Sequence, residues 1–435
     1  MQSQAGVTEN RGCLYRVPHR LREVNEKAYE PNVVSIGPYH YRKQHLMAMQ
    51  VIKESFFWKI AAENNLNIVE LKMTMRSLEP RIRKCYEEAP IHLHSDELLE
   101  MMLFDGCFIV QLIEGIYPVE DIFQVGRIQS DIRHDLLLLE NQLPFFVLFE
   151  LYRMMVPNAG EDVHHLARSA LSFFKISHFP SPKTDIMHLL DLVHSCQHPS
   201  HLGIKKHEEF KANEAAATAV VQASTAVVVA AAKPNSQRSW KFIRSATELE
   251  GAGISFFGDH IEKMKDQNQG IEIMFDIMFT KDTKVLKIPT LQVNDWTESL
   301  FRNYKAYEQF FPRGKPTYFV DYVVFMDNLI NTGKDVQLLC ESGVIDNWLG
   351  DDEAVALMFN KLRDSIYMMS EDFYYADIFG RVNEHCKRKW NKWKAALKKD
   401  YFNTPWSLIS FLAALVLLLL TLLQTIFSVL SYVKQ

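Results

Sequence analysis

Hydrophobic positions recur every three to four residues along most of this chain, and that spacing predicts helices. Such runs cover 43–64, 69–88 and 96–116, the last with Ser95 as its N-cap. Helical patterning continues over 128–154, 161–176 and 184–195, then over 296–312, 317–331, 333–341 and 351–372. Asp295-Trp-Thr-Glu298 has the form of a capping box at the start of 296–312. Between the two helical halves the period shortens. Ile254-Ser-Phe-Phe257, Ile271-Glu-Ile-Met-Phe-Asp-Ile277 and Val285-Leu-Lys-Ile-Pro-Thr-Leu-Gln-Val293 predict short strands. Leu14 to Leu21 and Val33 to His40 also lean toward β structure, with Pro and Gly breaks. The expected body is mainly α with a small antiparallel β-sheet.

Two uncharged runs depart from amphipathic spacing. Residues 215–232 are rich in Ala and Val and carry Gln222, Ser224 and two Thr. Ala favours membranes less than Leu does, so this run predicts an excursion near 213–236 between the halves of the body. The second run, Tyr401 to Val433, is rich in Leu. It predicts one C-terminal transmembrane helix over 405–433, with Pro405 at the first helical position and Trp406 and Tyr432 at the two interfaces. Ahead of it, Cys386, Trp390, Trp393, Leu397 and Tyr401 form one apolar stripe. Lysines including Lys398 and Lys399 take the other faces, which predicts a basic amphipathic stalk helix over 381–402. The expected membrane contacts are Trp390, Trp393, Lys398, Lys399, Pro405 and Trp406. The expected localisation is a single-pass protein of the plasma membrane, with lipid as one partner. Basic residues before the span outnumber those after it, so the charge rule puts the body in the cytosol. Gln424 and Thr425 offer hydrogen bonds between helices, which leaves a homo-oligomer open.

Charge and composition narrow the functional classes. Net charge is −5, and without the seven basic residues of 387–399 and Lys434 the rest stands at −13. An acidic body argues against nucleic acid as a partner. Hydrophobic residues make up 48% of the 435 positions, enough for a real core over 14–380 behind a flexible N-terminus, 1–13. The six cysteines lie far apart with no Cys-x-x-Cys pair, which reads as free thiols in a reducing compartment. Met1 to Pro18 is polar, without the apolar core of a secretory signal, and no Asn-x-Ser/Thr sequon occurs.

No nucleophile elbow, zinc-protease motif, phosphate loop or dinucleotide fingerprint is present, so no catalytic residue and no cofactor is expected. Metal ligation has its candidates in His188, Asp191 and His194, within the series Asp185, His188, Asp191, His194, His198, His201. The same stretch reads as an amphipathic helix that turns Leu189, Leu190 and Leu192 inward, and no metal motif of known geometry covers it. Asp131, His134, Asp135 and Glu140 precede Asn141-Gln-Leu-Pro-Phe-Phe146, and Asp105 opens Asp-Gly-Cys-Phe108. Carboxylates beside a His can do acid–base work. Their apolar surroundings favour a structural polar network of Asp105, Asp131, Glu140, Asn141 and Gln142, because buried polar groups must be paired.

These blocks carry a resemblance. Arg16-Val-Pro18, Tyr29-Glu-Pro31, Val34-Ser-Ile-Gly-Pro-Tyr-His40, Lys53, Asp105-Gly-Cys-Phe108 and Leu138-Leu-Glu-Asn-Gln-Leu-Pro-Phe-Phe146 resemble the plant domain of unknown function (DUF) 247 family, also known as the UPF0481 type. So do Glu248-Leu-Glu-Gly251, Ile288-Pro289, Arg302-Asn303, Glu308-Gln309, Met326-Asp327, Asp335-Val336 and Pro405-Trp406. The likeness runs from about Leu14 to the end, with Gln50 as a departure where the family has Glu. It implies a plant membrane protein without established enzymatic activity. Some members resembling this chain determine pollen self-incompatibility in grasses, a matter of self and non-self recognition. The expected function is a membrane-anchored, non-enzymatic recognition or signalling module with a protein partner. The alternatives are an unrecognised hydrolase or metalloenzyme, and a self-associating membrane-active oligomer.

Overall fold

A computed structural model describes residues 14–87, 92–116, 126–156, 162–176, 185–199, 241–259, 274–310, 317–366, 373–387 and 405–433. Helices dominate. In the N-terminal half they are α1 (His19–Arg22), α2 (Met47–Glu63), α3 (Ile68–Cys85), α4 (Ser95–Ile113), α5 (Gly126–Asp135), α6 (Phe145–Met155), α7 (Val163–Phe173) and α8 (Leu189–Cys196). The C-terminal half adds α9 (Ala246–Gly251), α10 (Thr297–Phe310), α11 (Tyr318–Leu329), α12 (Gly333–Glu341), α13 (Asp352–Arg363), α14 (Ala376–Lys387) and α15 (Pro405–Val433).

Helix α4 is apolar on every face, so it is stable only when surrounded. It is buried from Met101 to Ile113 and packs against α2, α3, α6 and α7. Gly106 lets α6 approach, because a Cβ there would overlap the Leu151 side chain. The second half builds on α10, α11 and α13, with α12 against α13. One continuous apolar core joins the halves, from Leu14 to Cys386.

Among the described residues, five short strands form two sheets: β1 (Ser255–Asp259), β2 (Met278–Thr280), β3 (Val285–Pro289), β4 (Leu291–Val293) and β5 (Ile345–Asn347). Strand β3 lies between β1 and β2, parallel to β1 with Ser255 opposite Val285 and antiparallel to β2 with Phe279 opposite Leu286. Strands β4 and β5 pair in parallel, Leu291 opposite Ile345. The expected antiparallel sheet is therefore a mixed sheet and a parallel pair. The 285–293 run is two strands that part at Thr290, whose hydroxyl donates to the Gly343 carbonyl at 2.8 Å. The strand expected from 271 falls at Met278–Thr280 instead.

The helix expected over 128–154 is two helices, α5 and α6. The segment 136–144 between them is held open by its own side chains, described below. Ser95 is the first residue of α4, after His94 at the N-cap, and its hydroxyl turns back to Glu79 at 2.8 Å. The Ala/Val excursion and the stalk beyond Lys387 lie outside the described residues.

Helix α15 covers the uncharged C-terminal run. Its side chains are described from Ile409 to Thr425, and the leucines among them are exposed. Among the described residues no helix is long and apolar enough to cross a membrane. This overturns the expected C-terminal transmembrane helix, and with it the single-pass membrane localisation.

Candidate functional site

The segment Asn32–His40 is irregular, bending at both ends without joining a sheet, so its backbone groups need other partners. Side chains supply them. The Asp135 carboxylate, at the end of α5, accepts the N–H groups of Asn32 at 2.9 Å, Val33 at 2.7 Å and Val34 at 2.9 Å. The Asn141 Oδ1 accepts from Ile36 at 2.7 Å, and its Nδ2 donates to the carbonyls of Val34 and Asp135. Asp105 accepts from Gly37 at 2.8 Å. Gly37 has φ +70°, and a Cβ there would lie 2.7 Å from the Gln142 carbonyl oxygen.

The loop that holds this segment is itself tied by the next side chains. Gln142 donates to the carbonyls of Leu136 and Leu138 and accepts from Leu190 N–H. Glu140 accepts the Val17 N–H at 2.6 Å and the Arg22 guanidinium at 2.6 Å. Asn303 on α10 accepts from Leu139 N–H and donates to Ala28. Asp105, Glu140, Asn141 and Gln142 thus sit in one buried network. Asp131 stands apart and accepts from Arg127 at 3.0 Å.

Charge is buried here in pairs. Lys53 and Asp105 are both enclosed and bonded to each other, and Lys53 also donates to the Ser35 carbonyl at 2.7 Å. Burial holds the Asp105 carboxyl above its ordinary range, against the pull of Lys53 and the Gly37 N–H. His40 lies 3.5 Å from Glu30 and 3.7 Å from Glu140, with Arg22 bridging the same two carboxylates. Burial, reinforced by Lys43, pushes the His40 imidazolium down to about 3. Breaking one partner of such a pair is costlier than the pair is stabilising, because a bare charge remains in the interior.

The metal candidates lie where α8 meets α10. His188 is the N-cap of α8, and its Nδ1 accepts from Asp191 N–H at 3.1 Å. Asp191 accepts from Met187 N–H and, at 2.6 Å, from the Tyr307 hydroxyl. His194 turns to Glu308 at 2.9 Å, and Glu308 also receives the Phe319 and Val320 N–H groups that open α11. Because His188 caps the helix instead of lying within it, the spacing of three does not converge on a point. Among the described residues no group of three or more His, Cys, Asp and Glu could hold a metal. His201 lies outside them.

One arrangement does mimic a hydrolase. Ser299 Oγ is 2.8 Å from His134 Nε2, and His134 Nδ1 is 3.5 Å from Asp135 Oδ1. Yet the Ser299 hydroxyl gives its hydrogen to the Ala28 carbonyl at 2.6 Å, and Asp135 is engaged by three backbone N–H groups. All three residues are buried. A nucleophile must shed its proton to the base and face a substrate. This serine does neither, and the trio fastens α10 to the N-terminal segment.

Sequence spacing missed Ser299 and Tyr307, whose partners lie far along the chain, and Trp348, whose indole bonds Asp346 two residues away. The stalk residues Trp390, Trp393, Lys398 and Lys399 lie outside the described residues, while Pro405 and Trp406 open α15.

The comparisons agree with the motif pattern. The family model for DUF247, a plant protein of unknown function, matches residues 14–420. UPF0481 protein At3g47200 of Arabidopsis thaliana is 31% identical, over 97% of this chain and 87% of that relative. Putative UPF0481 protein At3g02645 of the same plant is 24% identical, over 94% and 89%. No solved structure matches. With one family model spanning nearly its whole length, this chain belongs to the DUF247 family of plant proteins of unknown function.

Proposed function

We propose that the chain is a non-catalytic recognition or signalling module that works by binding a protein partner. One observation carries this reading: the polar side chains of the family motifs are turned inward and spent on the chain's own backbone. Asp105, Glu140, Asn141, Gln142 and Asn303 each bond a main-chain group of a distant segment. Such residues specify a rigid scaffold and leave its surface to carry function. Within this class, self and non-self recognition in pollen is the finer role that the family resemblance supports.

Affinity capture of the full chain from its own tissue, followed by mass spectrometry, tests the reading. A small set of proteins enriched reproducibly over a surface-charge-matched control is the expected result. Hydrolysis of an ester or peptide panel that disappears in Ser299→Ala or His134→Ala would overturn it.

A further inference from the structure

Trp348 stands on the loop between β5 and α13 and is 68% exposed. Trp is among the residues enriched at protein–protein interfaces, where its large face supplies contact area. Its position is fixed from several sides. Its N–H donates to the Val293 carbonyl at 2.8 Å, and its indole Nε1–H to Asp346 at 2.8 Å. The next N–H, of Leu349, goes to Asn347 Oδ1, and Gly350 turns the chain at φ +77°. The ring's single donor is therefore already satisfied. What remains to offer is its π face, already ordered and losing little freedom on contact.

The charges around this ring have one sign. Asp346 holds its edge, and Asp352 is drawn in by Asn347 at 2.8 Å. Glu341, the last residue of α12, adds a further carboxylate just ahead of β5. Among the described residues, no lysine or arginine forms an ion pair with Glu341, Asp346 or Asp352. An open π face beside unpaired carboxylates is the complement of a guanidinium, which stacks on the ring while its N–H groups meet the oxygens. Other exposed apolar residues include Val51 and Trp58 on α2 and Val69 and Met73 on α3.

We infer that Trp348 with Asp346 and Asp352 forms a docking face for an arginine-bearing peptide segment of a partner protein. This rests on the recognition reading and adds the partner's chemistry to it.

The test uses the full chain and a fluorescent nona-arginine peptide, read by anisotropy at physiological salt. Trp348→Ala is expected to weaken binding about 10-fold or more, as a central aromatic contact does. Trp348→Phe keeps part of the affinity, Asp352→Asn weakens binding, and Trp58→Ala leaves it unchanged. Thermal unfolding at the wild-type midpoint shows that each variant is folded. Equal binding by wild type and Trp348→Ala, or an equal loss in Trp58→Ala, would overturn the inference, as would no binding by wild type. Tissue partners captured equally by Trp348→Ala and wild type would remove this face and leave the recognition reading standing. Capture of no partner by wild type would instead remove the reading itself.

Discussion

Asn141 and Ile36, 105 positions apart, are joined by a hydrogen bond of 2.7 Å from the Ile36 N–H to the Asn141 Oδ1. The same amide returns its two hydrogens to the Val34 and Asp135 carbonyls. Asn141→Ala leaves these buried groups unpaired at roughly 1–3 kcal/mol each. We expect a loss of about 2–4 kcal/mol in urea unfolding, with faster proteolysis within 30–40. Asn141→Asp is expected to be worse, since its oxygens face two carbonyl oxygens. A variant as stable as wild type in both measurements would show that the amide does not hold the segment.

Two glycines separate yielding from rigid neighbours. A Cβ at Gly106 would strike the end of the Leu151 side chain, and one at Gly258 would strike the Gly343 backbone. Leu151 can shift its rotamer, so Gly106→Ala should cost about 1–3 kcal/mol. The Gly343 carbonyl cannot swing away, because the Thr290 hydroxyl bonds it and Gly343 itself sits at φ +72°. Gly258→Ala is expected to yield little soluble folded protein. Comparable urea midpoints for the two variants would contradict this ranking.

His40 makes stability depend on acid. Its imidazolium is pushed from 6.5 down to about 3 in the fold. Above pH 6.5 both folded and unfolded chains hold it neutral. Below that the unfolded chain takes up a proton that the folded chain refuses, so stability falls as pH drops toward about 3. In His40→Gln the slope between pH 6.5 and 5 should be shallower. Parallel slopes for the two proteins would assign the acid loss to other groups.

Lys305 acts at the other end of the scale. Its ammonium is fully enclosed and donates to the Leu362 and Asp364 carbonyls at 3.1 and 2.7 Å, yet burial pushes it from 10.5 to about 8. Between those values the unfolded chain keeps a proton that the folded chain has lost, so this group's contribution to stability rises with pH. Lys305→Met should remove that rise, read as urea midpoints at pH 8 and 10. A rise of the same size in the variant would refute the assignment.

Local patterns in this chain were legible where a helix answers only to its own spacing. The 333–341 helix coincides with α12, whose capping box of Thr332 and Asp335 closes its start. The 351–372 helix stops at Arg363, since Lys305 takes the carbonyls beyond and Ser365 adopts φ +61°. Strand pairing was not legible, because Ser255 meets Val285 and Leu291 meets Ile345 through register that no local pattern encodes. In the site, the motif gave residue types, and a carboxamide or carboxylate in an apolar run announces that it must be bonded. It does not say to which backbone. That knowledge required the fold, as did the separation of Asp131 from the rest and the exposure of Trp348.

The Tyr15 hydroxyl donates to the Ala306 and Tyr307 carbonyls, and Ser299 and Asn303 both bond Ala28. The opening segment therefore leaves the ribosome long before the residues that seat it have been made. Asp105, Asp135, Glu140 and Asn141 can hold part of it earlier, but its seat on α10 waits until about 300 further residues have emerged, and such distant closure is slow. Order of synthesis and order of assembly run in opposite directions here. A chain cut short before α10 would keep the ties of Asn32–Gly37 to Asp105, Asp135 and Asn141 but lose those of Tyr15 and Ala28, leaving the start of the body half seated and more open to proteases.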